Sequence, residues 1–519
     1  MRKILLLILL CGLYRGNCLA QNPPITPAWA FGHIVWEDSI NTRESAERLV
    51  LAYQQHDIPV DAIIIDSPWT TSYNDFIWDE TRYPQPQRMI DGFANQGIRT
   101  ILWTTGNVNL KDRKGDTSIG THAHLQEIIG KGFAVNDGQI YHWWKGDGVH
   151  LDFTNQEAVR WWFKQLDKAY TKGVYGWKVD QGEFWLDSIV KTSKGIMSQV
   201  DFRPYYYNAM YDYTRMKSDE GIIMARPFSH QGGFAASVAK LNMGWCGDYS
   251  GNWKGIQNQL TDIYRSAQAG YGAIAMEVGG FYQGRSDKEQ FTRYFQAGCM
   301  TACIINGGEN GAFTNHLPWW FGDSVSDGYR FCVTLHRQLA PYKFSTVVDA
   351  HLHGGSLLRE PSSVEWSHRV GNDIFTKVIT QPGGEATFHL PTSGQWVDFW
   401  NQTVHQAGEA IHQTYPLHRF PLFIRKGSII PLSIDNDITG IGDETCAGKR
   451  VFLITPDGRT SQTLYLPEGA GTAYFKCTVA YDEEKRTVSI QSEKEVDACV
   501  IVQHVGCVAG KGSELILTL

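Results

Sequence analysis

Eight short apolar runs, separated by segments with helical spacing, constrain the fold of this chain more than any other feature of its sequence. The runs lie at residues 30–36, 62–66, 100–104, 176–180, 222–226, 244–248, 273–278 and 302–306. Most of them lack strict apolar–polar alternation, which is typical of parallel strands buried on both faces. Eight such strands alternating with helices predict an α/β fold, a (β/α)8 TIM barrel, with a doubly wound open sheet as the alternative.

Two of the segments between these runs predict where helices begin. Residues 41–44 and 154–157 each fit the capping-box pattern, in which a polar N-cap residue is followed three positions later by Glu. Apolar residues at helical spacing follow both segments. The pattern therefore places two N-caps at Asn41 and Thr154.

The pattern of the chain changes after about Lys343. Short alternating runs separated by turn residues replace the helical spacing, which predicts C-terminal antiparallel β-sandwich domains. We expect two small β units that join somewhere in residues 433–449. The predicted domains are a signal peptide over 1–20, the barrel over 21–342, a β-sandwich domain over 343–436 and a second C-terminal β domain over 437–519.

The N-terminus has the three parts of a secretory signal peptide. Arg2 and Lys3 precede the apolar residues 4–13, and Ala20 precedes the expected cleavage site. The sequence therefore predicts a secreted or periplasmic protein. No later stretch approaches the ~20 apolar residues of a membrane-spanning helix, so we expect no membrane span.

The charge and composition of the chain indicate which classes of ligand it is suited to bind. The 47 basic and 54 acidic residues give a net charge of −7, which does not favour binding to nucleic acid. The 18 Trp and 23 Tyr residues suit the apolar faces of sugar rings, although thick aromatic packing in a large barrel explains them equally well. The eight cysteines beyond the signal peptide show no metal-binding spacing, and their pattern predicts no particular disulfide.

Ionisable residues stand at the ends of several predicted strands. They are Asp66, Asp180, Arg226, Asp248 and Glu277. In a barrel of this kind the catalytic groups lie where strands end, and carboxylates grouped around one axis carry a desolvation cost that a purely structural protein would avoid. Cleavage of a glycosidic bond needs one carboxyl group to attack the sugar and another to protonate the leaving oxygen.

Three motifs resemble those of glycoside hydrolase family 31. They are GWKVDQGE (176–183), MARPFSHQGG (224–233) and GWCGDYSGNW (244–253), and the resemblance extends over residues 30–432. It implies Asp180 as the nucleophile, Asp248 as the acid/base and Arg226 as a contact of the bound sugar. It also implies α-linked substrates, two-step displacement with retention, no metal, no organic cofactor, and catalytic carboxyl groups about 5–5.5 Å apart.

Further residues at or near strand ends are candidates for substrate contact. With Arg226 they are Asp66, Trp69, Trp103, Lys178, Trp245 and Glu277. Lys178 shares a strand face with Asp180, so its charge should favour the ionised nucleophile. Asp66 suits the binding of sugar hydroxyl groups, with the capping of a turn as the alternative. The tryptophans suit stacking on sugar rings, with core packing as the alternative for Trp69 and Trp103.

For some other polar residues near the motifs, we expect a structural role and no contact with the substrate. We expect Glu183 to be a structural partner and Cys246 to be a buried structural thiol. His142 and His150 flank residues 143–145 (Trp-Trp-Lys), which could form a site for the leaving group, with ordinary loop packing as the alternative.

The sequence departs from the family pattern in three places. The family usually carries an N-terminal β-sandwich, whereas little separates Gln21 from the first predicted strand, so we expect a more open cleft. Glu277 stands where the family has Asp, and residues 305–307 (Ile-Asn-Gly) replace a motif whose His contacts sugar hydroxyl groups. Residues 309–316 could supply the missing contacts, with an ordinary loop as the alternative.

The leading prediction is an exo-acting retaining α-glycoside hydrolase that releases a terminal α-linked sugar from an oligosaccharide or glycan. The departures slightly favour an α-galactosidase over an α-glucosidase or α-xylosidase. A transglycosylase or lyase would carry the same two carboxyl groups. The competing classes are a non-catalytic carbohydrate-binding protein on a degenerate barrel and a metal-dependent hydrolase, although clustered His ligands are lacking. The oligomeric state is not predicted.

Overall fold

The computed structural model describes residues 22–282, 286–307 and 316–519 of the chain. The predicted signal peptide over residues 1–20 therefore lies outside the described residues. Within the described part, no helix has both the length and the apolar character needed to cross a membrane.

The eight predicted strands all form, and they close into a parallel barrel. They are β1 (His33–Glu37), β2 (Ala62–Ile65), β3 (Arg99–Thr104), β4 (Val174–Val179), β5 (Ile222–Ala225), β6 (Met243–Gly244), β7 (Met276–Val278) and β8 (Ile304–Gly307). The strand order is β6-β5-β4-β3-β2-β1-β8-β7. A parallel bridge between Gly244 and Ile274 joins the two end strands, with Ala275 N–H donating to the Gly244 carbonyl at 2.8 Å. This closure confirms the barrel and excludes the open sheet.

Helices surround the barrel and connect most of its strands. They are Arg43–Gln55, Pro86–Ala94, Leu125–Gly130, Gln156–Leu166, Gln199–Lys217, Trp253–Gln268, Lys288–Cys299, Asp323–Gln338 and Ala340–His353. Their buried side chains form one continuous core with the strands, which bury both faces as the apolar runs require.

Two helices begin one residue later than the capping pattern predicts. Asn41 has a left-handed backbone (φ +56°), and Thr42 is instead the extended N-cap whose hydroxyl accepts from the backbone of Ser45 at 3.2 Å. At the second start, Asn155 accepts from the Glu157 N–H at 2.9 Å. The expected N-caps at Asn41 and Thr154 are therefore wrong, because local backbone geometry selects the next polar residue.

Short antiparallel strands rise from the carboxyl end of the barrel. A three-stranded sheet follows β3 and contains Asn107–Asp112, Tyr141–Trp143 and Gly146–His150. A hairpin of Ile189–Thr192 and Gly195–Ser198 follows β4, and Phe228–Ser229 pairs with Gly233–Phe234 after β5. These insertions stand at the barrel end where the strand-end carboxylates lie.

The first C-terminal unit packs a six-stranded sheet against a two-stranded one. The large sheet contains Leu358–Ser362, Ser367–Val370, Ile374–Lys377, Leu422–Arg425, Trp396–Asp398 and Val404–His405, and the small sheet contains Glu385–His389 and Ala410–Thr414. Phe375, Phe388, Trp396 and Phe423 fill the space between the two sheets. The predicted antiparallel β-sandwich is confirmed.

A second unit follows, which is antiparallel except that Arg450–Ile454 pairs in parallel with Thr487–Val502, and its limits differ from the expected ones. Its strands are Ile429–Leu432, Arg450–Ile454, Thr487–Val502, Tyr474–Asp482, Arg459–Pro467 and Gly506–Thr518. The first of these precedes the expected boundary at 436/437, but it pairs with Arg450–Ile454 and so belongs to the second sheet. The expected boundary at 342/343 falls inside the helix Ala340–His353.

Candidate active site

A cavity of about 660 Å³ opens at the carboxyl end of the barrel. The predicted site residues that line it are Asp66, Trp103, Lys178, Asp180, Arg226 and Asp248. They come from the ends of β2, β3, β4 and β5 and from the loop after β6, so barrel closure brings together side chains that are far apart in sequence.

Asp180 directly follows β4 and is held by several donors. Its Oδ1 accepts from Nη2 of Arg226 at 3.2 Å and from the backbone N–H of Gln181 at 2.8 Å. Its Oδ2 accepts from Nε1 of Trp103 at 3.3 Å. Burial by itself would raise the pKa of this carboxyl, but Arg226, Lys178 and the hydrogen bonds outweigh burial and hold the pKa below its ordinary value. Asp180 is therefore a carboxylate that stays ionised.

Asp248 lies near the same guanidinium nitrogen of Arg226 that contacts Asp180. Its Oδ2 is 3.8 Å from Nη2 of Arg226, and its side chain is 26% exposed. Burial raises the pKa of Asp248, and the negative charge of Asp180 adds to this effect in spite of Arg226. The pKa values of these two neighbouring carboxyl groups are thus shifted in opposite directions. Asp248 is therefore the better proton donor, and Asp180 is the better anion.

The shared arginine also limits the distance between the two carboxyl groups. The contacts of 3.2 Å and 3.8 Å, laid end to end, allow at most 7.0 Å between Oδ1 of Asp180 and Oδ2 of Asp248. Retaining glycosidases place their carboxyl groups about 5–5.5 Å apart and inverting enzymes roughly 6.5–9.5 Å apart. The upper bound for these two oxygens is therefore compatible with the separation found in retaining enzymes.

Arg226 is held in position by an aromatic ring and by two hydrogen-bond acceptors. Its guanidinium lies 4.7 Å above the ring of Trp245 and donates to the side chains of Gln231 and Ser229. Burial alone would lower the pKa of Arg226, but Asp180 and Asp248 raise it. The arginine is therefore a positioned, permanently charged group between the two carboxyl groups.

Lys178 forms a buried ion pair with Asp66. Its Nζ is 2.9 Å from Oδ2 of Asp66, and both side chains are 4% exposed. Nε1 of Trp36 donates to the same oxygen at 2.8 Å. The ammonium group lies 3.9 Å from the Trp36 ring and 4.1 Å from the Trp245 ring, so two aromatic faces stabilise its charge.

Asp38 also lines the cavity and was missed by the sequence analysis. It directly follows β1, so the rule that selected Asp66 after β2 would have found it. Burial, and then the charge of Asp66, raise the pKa of Asp38 well above its usual range in spite of Lys145 and Lys178. The raised pKa favours the protonated form of Asp38, which can donate a hydrogen bond to a hydroxyl group.

Three of the candidate substrate contacts do not line the cavity. Trp69 is 2% exposed, and its Nε1 donates to the Trp103 carbonyl at 2.9 Å. Trp245 is 1% exposed and supports Lys178, while its Nε1 donates to Oε2 of Glu277 at 3.4 Å. These residues position the cavity wall from behind instead of touching a ligand, because they belong to the packed layer beneath it.

Glu277 is wholly buried behind that layer. Burial raises its pKa well above the usual range, with a further increase from Asp248. The carboxyl group therefore belongs to the barrel core, where burial favours its neutral form. Glu277 was expected at a strand end but lies inside β7 (Met276–Val278), and its position along the strand does not specify whether its side chain reaches the cavity.

Glu183 and Cys246 occupy the structural positions expected for them. Glu183 is 1% exposed and accepts from the Tyr207 hydroxyl at 3.0 Å. Burial raises its pKa to about 7. Cys246 is fully buried, and burial raises the pKa of its thiol, so it is not a reactive nucleophile in this conformation.

Aromatic side chains from two loops form the outer wall of the cavity. Trp144 and Lys145 line it from the sheet after β3, and Trp185 lines it from the loop after β4. The rings of Trp144 and Trp185 lie 6.0 Å apart, and Trp185 is 44% exposed. Trp143 is buried behind Trp144, with 4.9 Å between ring centroids, and donates to Asn109 at 2.7 Å. The outer wall is therefore aromatic and anchored from behind.

The two histidines that flank this loop do not reach the cavity. His142 is exposed and lies 2.7 Å from Asp147. His150 is buried, which lowers its pKa to about 4, and bonds to the Leu151 carbonyl at 2.8 Å. Both therefore have structural roles in the three-stranded sheet.

The segment expected to replace the missing sugar contact is only partly described. Residues 309–315 lie outside the described residues. His316 is 1% exposed and stacks in parallel with Phe291, and its carbonyl accepts from the Asn306 amide at 3.1 Å. Among the described residues, no cluster of His, Cys, Asp and Glu has the arrangement of a metal site.

Two protein-family models match the sequence of this chain. Residues 23–346 match the glycosyl hydrolases family 31 TIM-barrel domain, and residues 360–430 match the glycosyl hydrolase family 31 C-terminal domain. The first match alone covers more than half of the chain, which confirms the resemblance seen in the motifs.

Two relatives of known name are an α-glucosidase and an α-xylosidase. Alpha-glucosidase 2 of Bacillus thermoamyloliquefaciens is 23% identical over 483 residues, covering 88% of this chain and 60% of that protein. Alpha-xylosidase XylQ of Lactiplantibacillus pentosus is 25% identical over 456 residues, covering 80% of this chain and 56% of that protein. The chain thus spans less than two thirds of the length of these relatives.

Solved structures share the fold. A dextranase of this family from Flavobacterium johnsoniae, complexed with glucose, superposes with a TM-score of 0.78 at 20% identity over 93% of this chain and 64% of that one. An α-xylosidase of the family from Xanthomonas citri gives a TM-score of 0.80 at 16% identity over 96% of this chain and 60% of that one. Together with the family models, these comparisons establish that the chain belongs to glycosyl hydrolase family 31.

Proposed function

We propose that the protein hydrolyses α-glycosides by double displacement, with Asp180 as nucleophile and Asp248 as acid/base. The opposite pKa shifts of these two carboxyl groups carry the proposal. An ionised carboxylate and a protonated carboxyl group around one cation are the two groups that this reaction requires.

In the first step, Asp180 attacks the anomeric carbon while Asp248 protonates the departing glycosidic oxygen. The new ester removes the negative charge of Asp180, which is one of the causes of the raised pKa of Asp248. The pKa of Asp248 therefore falls, and Asp248, which has given up its proton to the leaving group, stays a carboxylate that can accept a proton from water. Water then attacks the anomeric carbon and releases the sugar with its configuration retained.

The limited separation of the two carboxyl oxygens is compatible with retention. At most 7.0 Å, set by the contacts of 3.2 Å and 3.8 Å to Arg226, lies between the two oxygens that face the arginine. Within the first step, Arg226 stays paired with a negative charge throughout, because Asp248 gains the charge that Asp180 loses. The site therefore needs little charge reorganisation around this cation.

The depth of Glu277 in the barrel bears on the sugar specificity. The preference for an α-galactoside rested partly on Glu277 as a sugar contact, and its carboxyl group lies outside the cavity. The named relatives are an α-glucosidase and an α-xylosidase. We therefore place α-glucosides and α-xylosides ahead of α-galactosides as terminal sugars released from an oligosaccharide or glycan.

The outer aromatic wall suits the leaving group of such a substrate. Trp144 and Trp185 lie in the same cavity as the carboxyl pair, and exposed aromatic faces stack on the apolar faces of sugar rings. The wall consists of residues from the loops after β3 and β4. It would accept the sugar next to the cleaved bond, while the inner carboxylates bind the released sugar.

The basic, apolar and small-residue pattern of residues 1–20 supports a secreted or periplasmic location for the protein. The mass of the mature protein from its host would test this. A chain that begins at Gln21 would support export, and retention of Met1 on protein from the cytoplasm would contradict it.

The experiment for the proposed function is hydrolysis of aryl α-glucoside, α-xyloside, α-galactoside and α-N-acetylgalactosaminide. Wild type is compared with Asp180→Ala and with Asp137→Ala, which changes an exposed residue paired with Lys191. We expect one α-glycoside to be cleaved, the α-anomer to appear first by NMR, and only Asp180→Ala to abolish activity. Glycan binding without any hydrolysis would favour a carbohydrate-binding protein, and activity that survives Asp180→Ala would refute the nucleophile.

A further inference from the structure

Three thiols meet in the second C-terminal β unit. Cys499 is buried in the strand Thr487–Val502, and its Sγ lies 3.5 Å from Sγ of Cys446 and 3.4 Å from Sγ of Cys507. Cys446, at the end of a short turn, is buried, whereas Cys507 is exposed. Cys499 therefore has one partner on its solvent side and one on its buried side.

The strand register makes the two pairings unequal. Cys499 lies opposite Ala509, and Cys507 lies opposite Ile501, so the two cysteines are diagonal neighbours on antiparallel strands. Such neighbours have Cα atoms about 7–8 Å apart, beyond the roughly 4.4–6.8 Å that suits a disulfide. Cys446 belongs to the turn Glu444–Cys446 and is not restricted by a strand register.

We propose that these residues are a disulfide-relay site that ends with a buried Cys446–Cys499 disulfide and a free Cys507 thiol. The oxidant is a small disulfide such as oxidised glutathione, which reaches the exposed Cys507 first. The relay is independent of the proposed glycosidase activity.

The sequence of exchanges follows from accessibility. The Cys507 thiolate attacks glutathione disulfide, forms a mixed disulfide and releases one glutathione. The Cys499 thiolate attacks the Cys507 sulfur and releases the second glutathione, which leaves a Cys499–Cys507 disulfide. The Cys446 thiolate then attacks Cys499 and releases Cys507. Two protein thiols are oxidised, one glutathione disulfide is reduced, and the two thiol protons leave with the two glutathione molecules.

Tryptic peptide mapping distinguishes the stages. Cys446 lies in the fragment 427–449, and both Cys499 and Cys507 lie in the fragment 495–511. The final disulfide joins two fragments, whereas the intermediate is a bond inside one fragment. The full chain is purified reduced, incubated with oxidised glutathione, blocked with an alkylating reagent at intervals and digested without reductant.

We expect wild type to give the joined fragments, with fragmentation placing the bond at Cys499 and the alkylating group at Cys507. Cys446→Ser should stop at the internal bond. Cys507→Ser should slow formation of the joined fragments by at least about tenfold. Cys477→Ser, which replaces another buried thiol of the same sheet, should behave as wild type.

Several results would overturn the proposal. Glutathione that stays on Cys507 of wild type without transfer would show that no relay operates. Equal rates for wild type and Cys507→Ser would show that Cys507 is not the point of entry. Circular dichroism identifies any variant that fails to fold, and the order of products in wild type tests the relay without a variant.

Discussion

Gly247 packs against the guanidinium group of Arg226 with no room between them for a methyl group. A Cβ at Gly247 would lie 2.3 Å from Nη1 of Arg226. The residue also has a φ of +114°, which side-chain-bearing residues rarely adopt. The loop after β6 thus holds Arg226 in place and carries Asp248 one residue further on.

Gly247→Ala is expected to displace Arg226 from the two carboxyl groups and to lower kcat by about 10²-fold, because small misplacements of catalytic groups are costly. Steady-state kinetics on the cleaved aryl α-glycoside would measure the loss. Gly195→Ala is the matched control, since Gly195 has a φ of +105° and open space around it. Equal losses in both variants would point to backbone strain and not to Arg226.

Lys178→Met is expected to move the acid limb of the pH profile of kcat/KM upwards by about one pH unit. Asp180 must be ionised to attack, and Lys178 is one of the cations that lower its pKa. Removing that cation raises the pKa, so activity is lost at a higher pH as the solution is acidified. Lys191→Met, at an exposed ion pair, should leave the limb unchanged. An unmoved limb in Lys178→Met would contradict the assignment.

Asp248→Asn is expected to remove the basic limb of the same profile. Wild type loses activity as pH rises through the raised pKa of Asp248, because the proton for the leaving oxygen is then absent. The variant should lose about 10²–10⁴-fold in kcat on poor leaving groups and much less on an activated aryl group. Asp137→Asn serves as the control. A basic limb that persists in Asp248→Asn would assign the acid to another residue.

Trp185→Ala is expected to weaken cleavage of oligosaccharides selectively. Loss of one stacking face should lower kcat/KM for a disaccharide roughly three- to tenfold. The corresponding glycosyl fluoride has no sugar in its leaving group, so its kcat/KM should change little. Equal losses on the two substrates would indicate that Trp185 supports the loop after β4 and does not contact the leaving group.

Glu183→Gln is expected to stabilise the protein at pH 8 more than at pH 5. Burial raises the pKa of Glu183 in the folded protein to about 7, whereas its pKa in the unfolded chain is about 4.5. Protonation of Glu183 therefore stabilises the folded state, and this contribution is complete only at pH values below the pKa of the unfolded chain. That contribution is lost as pH rises to about 7. The amide cannot ionise, so the variant should gain up to about 3 kcal/mol relative to wild type. Thermal midpoints at both pH values would measure the gap, with Glu47→Gln as an exposed control.

Much of the fold could be predicted because its signals are local. All eight barrel strands form within a few residues of the apolar runs, since a strand buried on both faces must be apolar along its length. The strand Ile429–Leu432 was assigned to the wrong unit, because the apolar character of a strand does not specify which other strand it pairs with. Pairing with Arg450–Ile454 is decided by packing between distant segments.

The candidate site was predictable in part for the same reason. Residues that follow barrel strands collect at one end, which placed Asp180 and Asp248 together correctly, and the same rule applied to β1 would have added Asp38. Burial of Trp245 and Glu277 behind the cavity wall could not be predicted, because strand-end position does not specify depth.

The sequence by itself determined which strands form and which charged groups stand at their ends, because apolar runs and their polar endings are properties of neighbouring residues. Only the tertiary structure decided the ionisation of the site. Arg226 reaches Asp180 across 46 positions of sequence, and its contact, with burial, separates the pKa of Asp180 from that of Asp248. Such shifts depend on desolvation and on distances between charges, which exist only once the barrel has closed.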